Sequence, residues 1–149
     1  YSMKNILITI ITLILTTSFF TQPKSVNVNK DGYGANGYDL VSYFDGTPTE
    51  GSEELTVTHE GVKYKFSNKK NYNKFQEDPE KYLPEYGGWC AYAIGKSDDE
   101  VKVNPEAYII EDGKLYLFYK NIFINTKKKW NKNEEELHKN ADENWSNRK

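Results

Sequence analysis

Cys90 is the single cysteine of the chain, and His59 and His138 are its two histidines, so thiol or imidazole chemistry has three addresses. A thiolate nucleophile needs a base within hydrogen-bond reach, which would require the fold to bring one of the histidines to Cys90. A metal ion would draw on the same side chains. Thiolate and imidazole suit Cu(I) or Zn, yet one Cys and two His cannot close a four-ligand site. The expected metal site is therefore open or completed by a partner: Cys90 with His59 and a carboxylate or tyrosine, holding a copper or zinc ion. Cys90 sits in Tyr86-Gly87-Gly88-Trp89-Cys90-Ala91-Tyr92-Ala93, where a glycine pair lets backbone approach closely and aromatic rings flank the thiol,. No Cys-x-x-Cys, His-Glu-x-x-His, Gly-x-Ser-x-Gly or phosphate loop occurs,. The chain thus reads as a binding module, with a thiol-dependent redox protein and a purely structural domain as alternatives.

The elements that position these residues follow from periodicity. Glu54 to His59 and Val62 to Phe66 alternate around Glu60-Gly61, and Ala107 to Glu111 and Lys114 to Tyr119 alternate around Asp112-Gly113. Both read as hairpins with tight turns. Gly37 to Phe44 alternates aromatic and apolar residues and is expected as a short strand or extended buried segment. After Phe66 the period changes to that of a helix capped by Ser67 or Asn68, interrupted at Asp78-Pro79. A short helix is expected after Gly88. From Asn121 onward the chain is expected to be helical, with Ile122, Phe123 and Trp130 on one face, then Asn133 and Glu136 as a capping box. The fold class is α+β: a small antiparallel sheet of two hairpins plus an extended segment, covered on one side by several short helices. No repeat is visible in the residue types.

The 149 residues carry a net charge of -2 with 28% charged side chains of both signs, which excludes a basic nucleic-acid footprint,. Residues 1–22 have the layout of a secretory signal, with Met3 as the start, Lys4 as the positive charge and an apolar run from Ile6 to Leu15,. That run is shorter than the ~20 residues of a spanning helix, so export without a stable membrane span is expected, with an uncleaved tether as the alternative. The protein would be periplasmic or extracellular. Residues 23–31 read as a polar linker and residues 32–149 as one domain.

Gly37-Tyr38-Asp39-x-Val41-x-Tyr43-Phe44, Tyr64-x-Phe66-Ser67, Asp78-Pro79-x-Lys81-Tyr82-x-Pro84-x-Tyr86-Gly87-Gly88-Trp89-Cys90-Ala91-Tyr92-Ala93, Asp112-Gly113-Lys114-Leu115-Tyr116-Leu117 and Ala141-Asp142-x-Asn144-Trp145 together resemble the stand-alone exported YHS-domain proteins. The resemblance runs from Gly37 to Trp145. The wider group is thought to bind metal through cysteines of a Phe-Cys-Ser-x-x-Cys-type segment. Ser67 and Asn71 stand where those thiols would be, and Cys90 belongs instead to the Tyr-Gly-Gly-x-Cys-Ala motif. For that motif the resemblance implies no established reaction; the clustering of its aromatic residues with the only soft ligand leads to the expectation of a transition metal, copper first, or a small molecule near Cys90,. Tyr38, Asp39, Tyr43, Tyr86 and Trp89 are the accompanying site residues. No partner protein is implied.

Overall fold

The computed structural model describes residues 24–149, and the expected signal segment lies outside the described residues. The domain is α+β, built from two two-stranded antiparallel sheets and short helices. In chain order the regular elements are β1 (Ser52–His59), β2 (Val62–Phe66), α1 (Lys69–Glu77), α2 (Ala91–Ser97), β3 (Asn104–Glu111), β4 (Lys114–Phe118), α3 (Thr126–Lys132) and α4 (Glu134–Ser146). Both hairpin expectations hold. Glu60 and Asp112 take φ of 48° and 49°, each followed by a left-handed glycine, the paired positive dihedrals of a two-residue turn that matches strand twist,.

The second half of the chain repeats the first in geometry. Ala35, Asn36 and Gly37 are consecutive left-handed residues, and so are Tyr86, Gly87 and Gly88. Each trio is followed by a residue that opens a helical segment: Asp39 before the 3-10 helix Leu40–Asp45, and Cys90 before α2. A hairpin comes next in both halves, with the same irregularity in register. Ser52 pairs with Phe66 and Thr56 with Lys65, while Asn104 pairs with Phe118 and Tyr108 with Leu117. A helix then follows, α1 or α3. Strand-like bridges join Tyr33 to Lys63 in one half and Pro84 to Leu115 in the other.

Expectations for three segments are corrected. The segment after Gly37 is a 3-10 helix from Leu40 to Asp45 rather than a strand, because Asp39 Oδ1 accepts the amides of Val41 (2.9 Å) and Ser42 (3.2 Å) and so starts a helical turn,. Its apolar run reflects burial all round that turn: Leu40, Val41, Ser42 and Tyr43 are consecutive and all buried. The expected linker is laid across the domain, with Asn27 buried, its amide donating to Gly87 O at 2.9 Å and its side chain to Gly88 O at 3.1 Å. Residues Asn121 to Ile124 form a turn, and the helix begins only at Thr126.

Strand β4 divides the interior. Leu115 and Leu117 point into a core with Leu40, Tyr43, Phe66 and Phe75, whereas Tyr116 and Phe118 point into one with Ala91, Ile94, Trp130 and Leu137. A strand buried on both faces gives an unbroken apolar run, as Leu115 to Phe118 shows,. This differs from the expected sheet covered on one side. Helices α2 and α4 meet at Gly95, where a Cβ would strike the carbonyl of Leu137,.

Asp39 is fully buried and knots the first half. Besides its two capping bonds, Oδ2 accepts Ser67 N (2.9 Å), Ser67 Oγ (2.6 Å) and Asn71 Nδ2 (2.8 Å). One carboxylate thereby fastens a 3-10 helix to the end of β2 and the start of α1. Replacing it strands several buried donors at once, each worth about 1–3 kcal/mol. Asp39→Ala is expected to lower the unfolding free energy by about 3–5 kcal/mol, read as a shift in the denaturant midpoint; a loss below about 1 kcal/mol would show that these bonds do not hold the fold.

Candidate functional site

A cleft of about 400 Å³ lies at the seam between the two halves. The first half contributes Ala35, His59, Glu60, Val62 and Tyr64; the connection contributes Glu80, Leu83 and Pro84; the second contributes Glu85, Tyr86, Gly87 and Trp145. Lys24 and Val26 of the N-terminal strap close one side. The tight turn at Glu60-Gly61 puts His59 and Glu60 at the rim, and the 3-10 turn Pro79–Lys81 carries Glu80 opposite them. Gly87 lets the strap pass, since a Cβ there would collide with Ser25 O and the Trp145 ring,.

His59, Glu60 and Glu80 each offer one ligand atom, and the three lie within 4.8 Å of one another. His59 Nε2 is 3.0 Å from Glu80 Oε1. Ligands of a tetrahedral zinc at about 2.0–2.1 Å stand roughly 3.3 Å apart, so this spacing needs little adjustment. His59 is mostly buried at 23% side-chain exposure, whereas Glu80 is 72% exposed, so one ligand is fixed and one adjusts. Below the rim the walls are Tyr64, Tyr86 and Trp145. Burial, with Glu60 and Glu80 nearby, pushes the Tyr64 phenol up to about 12. Burial and the Asp142 carboxylate accepting its hydroxyl at 2.8 Å raise Tyr86 well above the ordinary phenol range. Both phenols therefore stay neutral donors. Glu85 is raised mainly by burial, against the pull of Lys114. With Glu60, Glu80 and Glu85 against Lys24, the cleft favours a cation,.

The residues expected as one site are dispersed. Cys90 is fully buried and is no part of the His59 group. Its Sγ accepts the Tyr119 amide at 3.3 Å and lies 3.3 Å from Thr126 Oγ1. The single Thr126 hydroxyl proton goes to Tyr119 O at 2.8 Å, which leaves the cysteine S–H as the donor to Oγ1,. Cys90 thus closes the junction of β4 and α3, in the place that Asp39 takes in the first half. Tyr43 is buried with its hydroxyl donating to Pro105 O at 2.5 Å, and it borders a separate shallow depression with Tyr108 and Lys127. Trp89 donates from Nε1 to Ser25 Oγ at 2.9 Å, holding the strap. Tyr38, half-buried and raised by burial with Glu106 and Glu50 nearby, stands in the first half. Neither Tyr38 nor Trp89 borders the cleft. Of the expected residues, the cleft gathers His59 and Tyr86. Glu60 and Glu80 were not anticipated, since a turn residue and a helical one twenty positions on share no motif spacing.

Comparison with protein-family models, with curated proteins and with solved structures finds no match for this chain.

Burial makes the thiol a test of the structural role assigned to Cys90. In the native protein it is expected to react with an aromatic disulfide reagent at least about 100-fold more slowly than in denaturant. Native labelling as fast as in the unfolded chain would restore an accessible, chemically active Cys90.

Proposed function

We propose that the protein is a binding module that takes a divalent transition-metal ion at His59, Glu60 and Glu80, on the rim of the cleft between its two halves. The observation that carries the reading is the convergence of three ligand atoms within 4.8 Å at the mouth of a 400 Å³ cleft. One nitrogen and two carboxylate oxygens suit Zn(II) or Cu(II) rather than Cu(I), which prefers sulfur. Three protein ligands would leave a coordination position open, at the mouth of a cleft that Tyr64 and Tyr86 help to line,. A small ligand with a donor atom fits that position and the cleft behind it. This reading keeps the metal implied by the likeness to exported YHS-domain proteins and moves it away from Cys90. Export to the periplasm or the cell exterior, suggested by residues 1–22, accords with such a role,.

Calorimetric titration of the full chain with Zn(II) and Cu(II) tests the site. Saturable one-to-one binding is expected, weakened at least about tenfold by His59→Ala and by Glu80→Gln, and unchanged by Cys90→Ser. Protons compete with the metal for Nε2, so affinity falls as pH is lowered. Binding that survives His59→Ala, or that depends on Cys90, would overturn the assignment.

A further inference from the structure

The two halves differ most at one place. In the first, β2 runs into α1 through Ser67 and Asn68 alone; in the second, β4 reaches α3 through Tyr119 to Asn125. The added residues include Ile122 and Phe123, which are 89% and 87% exposed, with Ile124 at 40%. Among the described residues these are the most exposed large apolar side chains. They are held there by a built turn. Asn121 N donates to Ile124 O at 2.8 Å, and Asn121 Oδ1 accepts the amides of Phe123 (2.9 Å) and Ile124 (2.7 Å). Asn121 Nδ2 donates to Tyr119 Oη at 2.7 Å, and Lys120 bridges to Asn125 across the base. The fold does not require the insertion, because the first half makes the same junction without it.

The surroundings name the occupant. From Lys114 to Asn133 the sequence contains Lys114, Lys120, Lys127, Lys128, Lys129 and Lys132 and no acidic residue. Among the described residues, Lys120, Lys127, Lys128 and Lys129 make no ion pair. A chain of net charge -2 thus concentrates positive charge in the segment that carries an exposed aliphatic and phenyl tip. An exposed apolar turn flanked in the sequence by lysines matches a flat surface with an anionic headgroup layer over hydrocarbon,. We propose that the Ile122-Phe123 turn is a membrane-docking element, which inserts these two side chains into the interface of an anionic bilayer while the lysines engage its phosphates. Two inserted side chains give reversible, salt-sensitive attachment and not a span.

The test is sedimentation of the full chain with vesicles of phosphatidylcholine containing about 30% phosphatidylglycerol, and with phosphatidylcholine alone. The chain is expected to partition to the anionic vesicles, and added salt to release it. Ile122→Ser with Phe123→Ser is expected to reduce partitioning at least about tenfold while leaving the thermal melt unchanged, and Lys120→Glu with Lys128→Glu to abolish the preference for anionic lipid. All variants retain the apolar run from Ile6 to Leu15, so the differences report the turn. If the serine variant fails to fold, Phe123→Trp replaces it, and its emission is expected to shift to the blue on adding anionic vesicles. No sedimentation of the parent, equal sedimentation of a folded serine variant, or no shift for Phe123→Trp beyond that of the parent would overturn the proposal. The first of these results would point to a protein as the occupant of the tip.

Discussion

The structure depends on one arrangement made twice: a buried acceptor at the start of a helical segment that ties the end of a hairpin to the helix after it. In the first half the acceptor is Asp39, with five hydrogen bonds divided between its two oxygens. Among the described residues no cation faces it, so the charge is balanced by oriented donors alone, which demands that every lone pair be used,. In the second half the acceptor is Cys90, with one amide and one hydroxyl as partners. The longer β4–α3 connection brings fewer donors to this junction, and a thiol that both accepts and donates satisfies them without a buried charge. The exchange of carboxylate for thiol thus follows from the count of donors, and it explains a lone cysteine without assigning it a reaction.

Everything at the seam is set by these two knots and by the chain ends. Strand β4 belongs to both cores, so the halves cannot move apart without exposing Leu115 and Leu117 on one face or Tyr116 and Phe118 on the other. The C-terminus is pinned by Arg148, whose guanidinium is buried between Asp98 and Glu100 with both ion pairs at 2.6 Å. Such a buried pair is costly to break from one side, and here it holds α4 and Trp145 against the cleft. Ser25 donates to Glu100 as well, so the strap and the C-terminus share one anchor. The cleft walls are therefore fixed on three sides, while the exposed Glu80 supplies the adjustable edge.

What was legible in the sequence was what is local. Glu60-Gly61 and Asp112-Gly113 announce their hairpins because turn geometry is decided within four residues. Asn68 announces α1, and its Oδ1 accepts Asn71 N at 2.9 Å,. The repeat was hidden because it is kept in dihedral angles and register. Ala35-Asn36-Gly37 and Tyr86-Gly87-Gly88 share one residue, and nothing in their side chains says that all three are left-handed. The alternation of Tyr38, Tyr43 and Phe44 suggested a strand, since a short apolar run does not distinguish a strand from a tight helical turn until its cap is known. Asp39 was that cap, read as a site residue instead. The turn at Asn121 was misread because Ile122 and Phe123 look like core residues, and a rule that places apolar side chains inside fails where they are displayed.

The comparison of the halves also separates what the fold needs from what it can lend to other work. Shared features, the left-handed trio, the capped helical segment and the bulged hairpin, are accounted for by packing and hydrogen bonding. The differences are not. At the hairpin tip the first half has His59-Glu60 where the second has Glu111-Asp112, and only the first gathers a nitrogen and two carboxylates over a cavity. At the strand-to-helix junction the second half adds a turn that leaves Ile122 and Phe123 exposed. Because the same backbone folds with either version, stability does not select these residues, and their chemistry is free to answer to a ligand in one case and to a surface in the other. The conserved geometry thus acts as an internal control, against which the cleft rim and the Ile122-Phe123 turn stand out as additions.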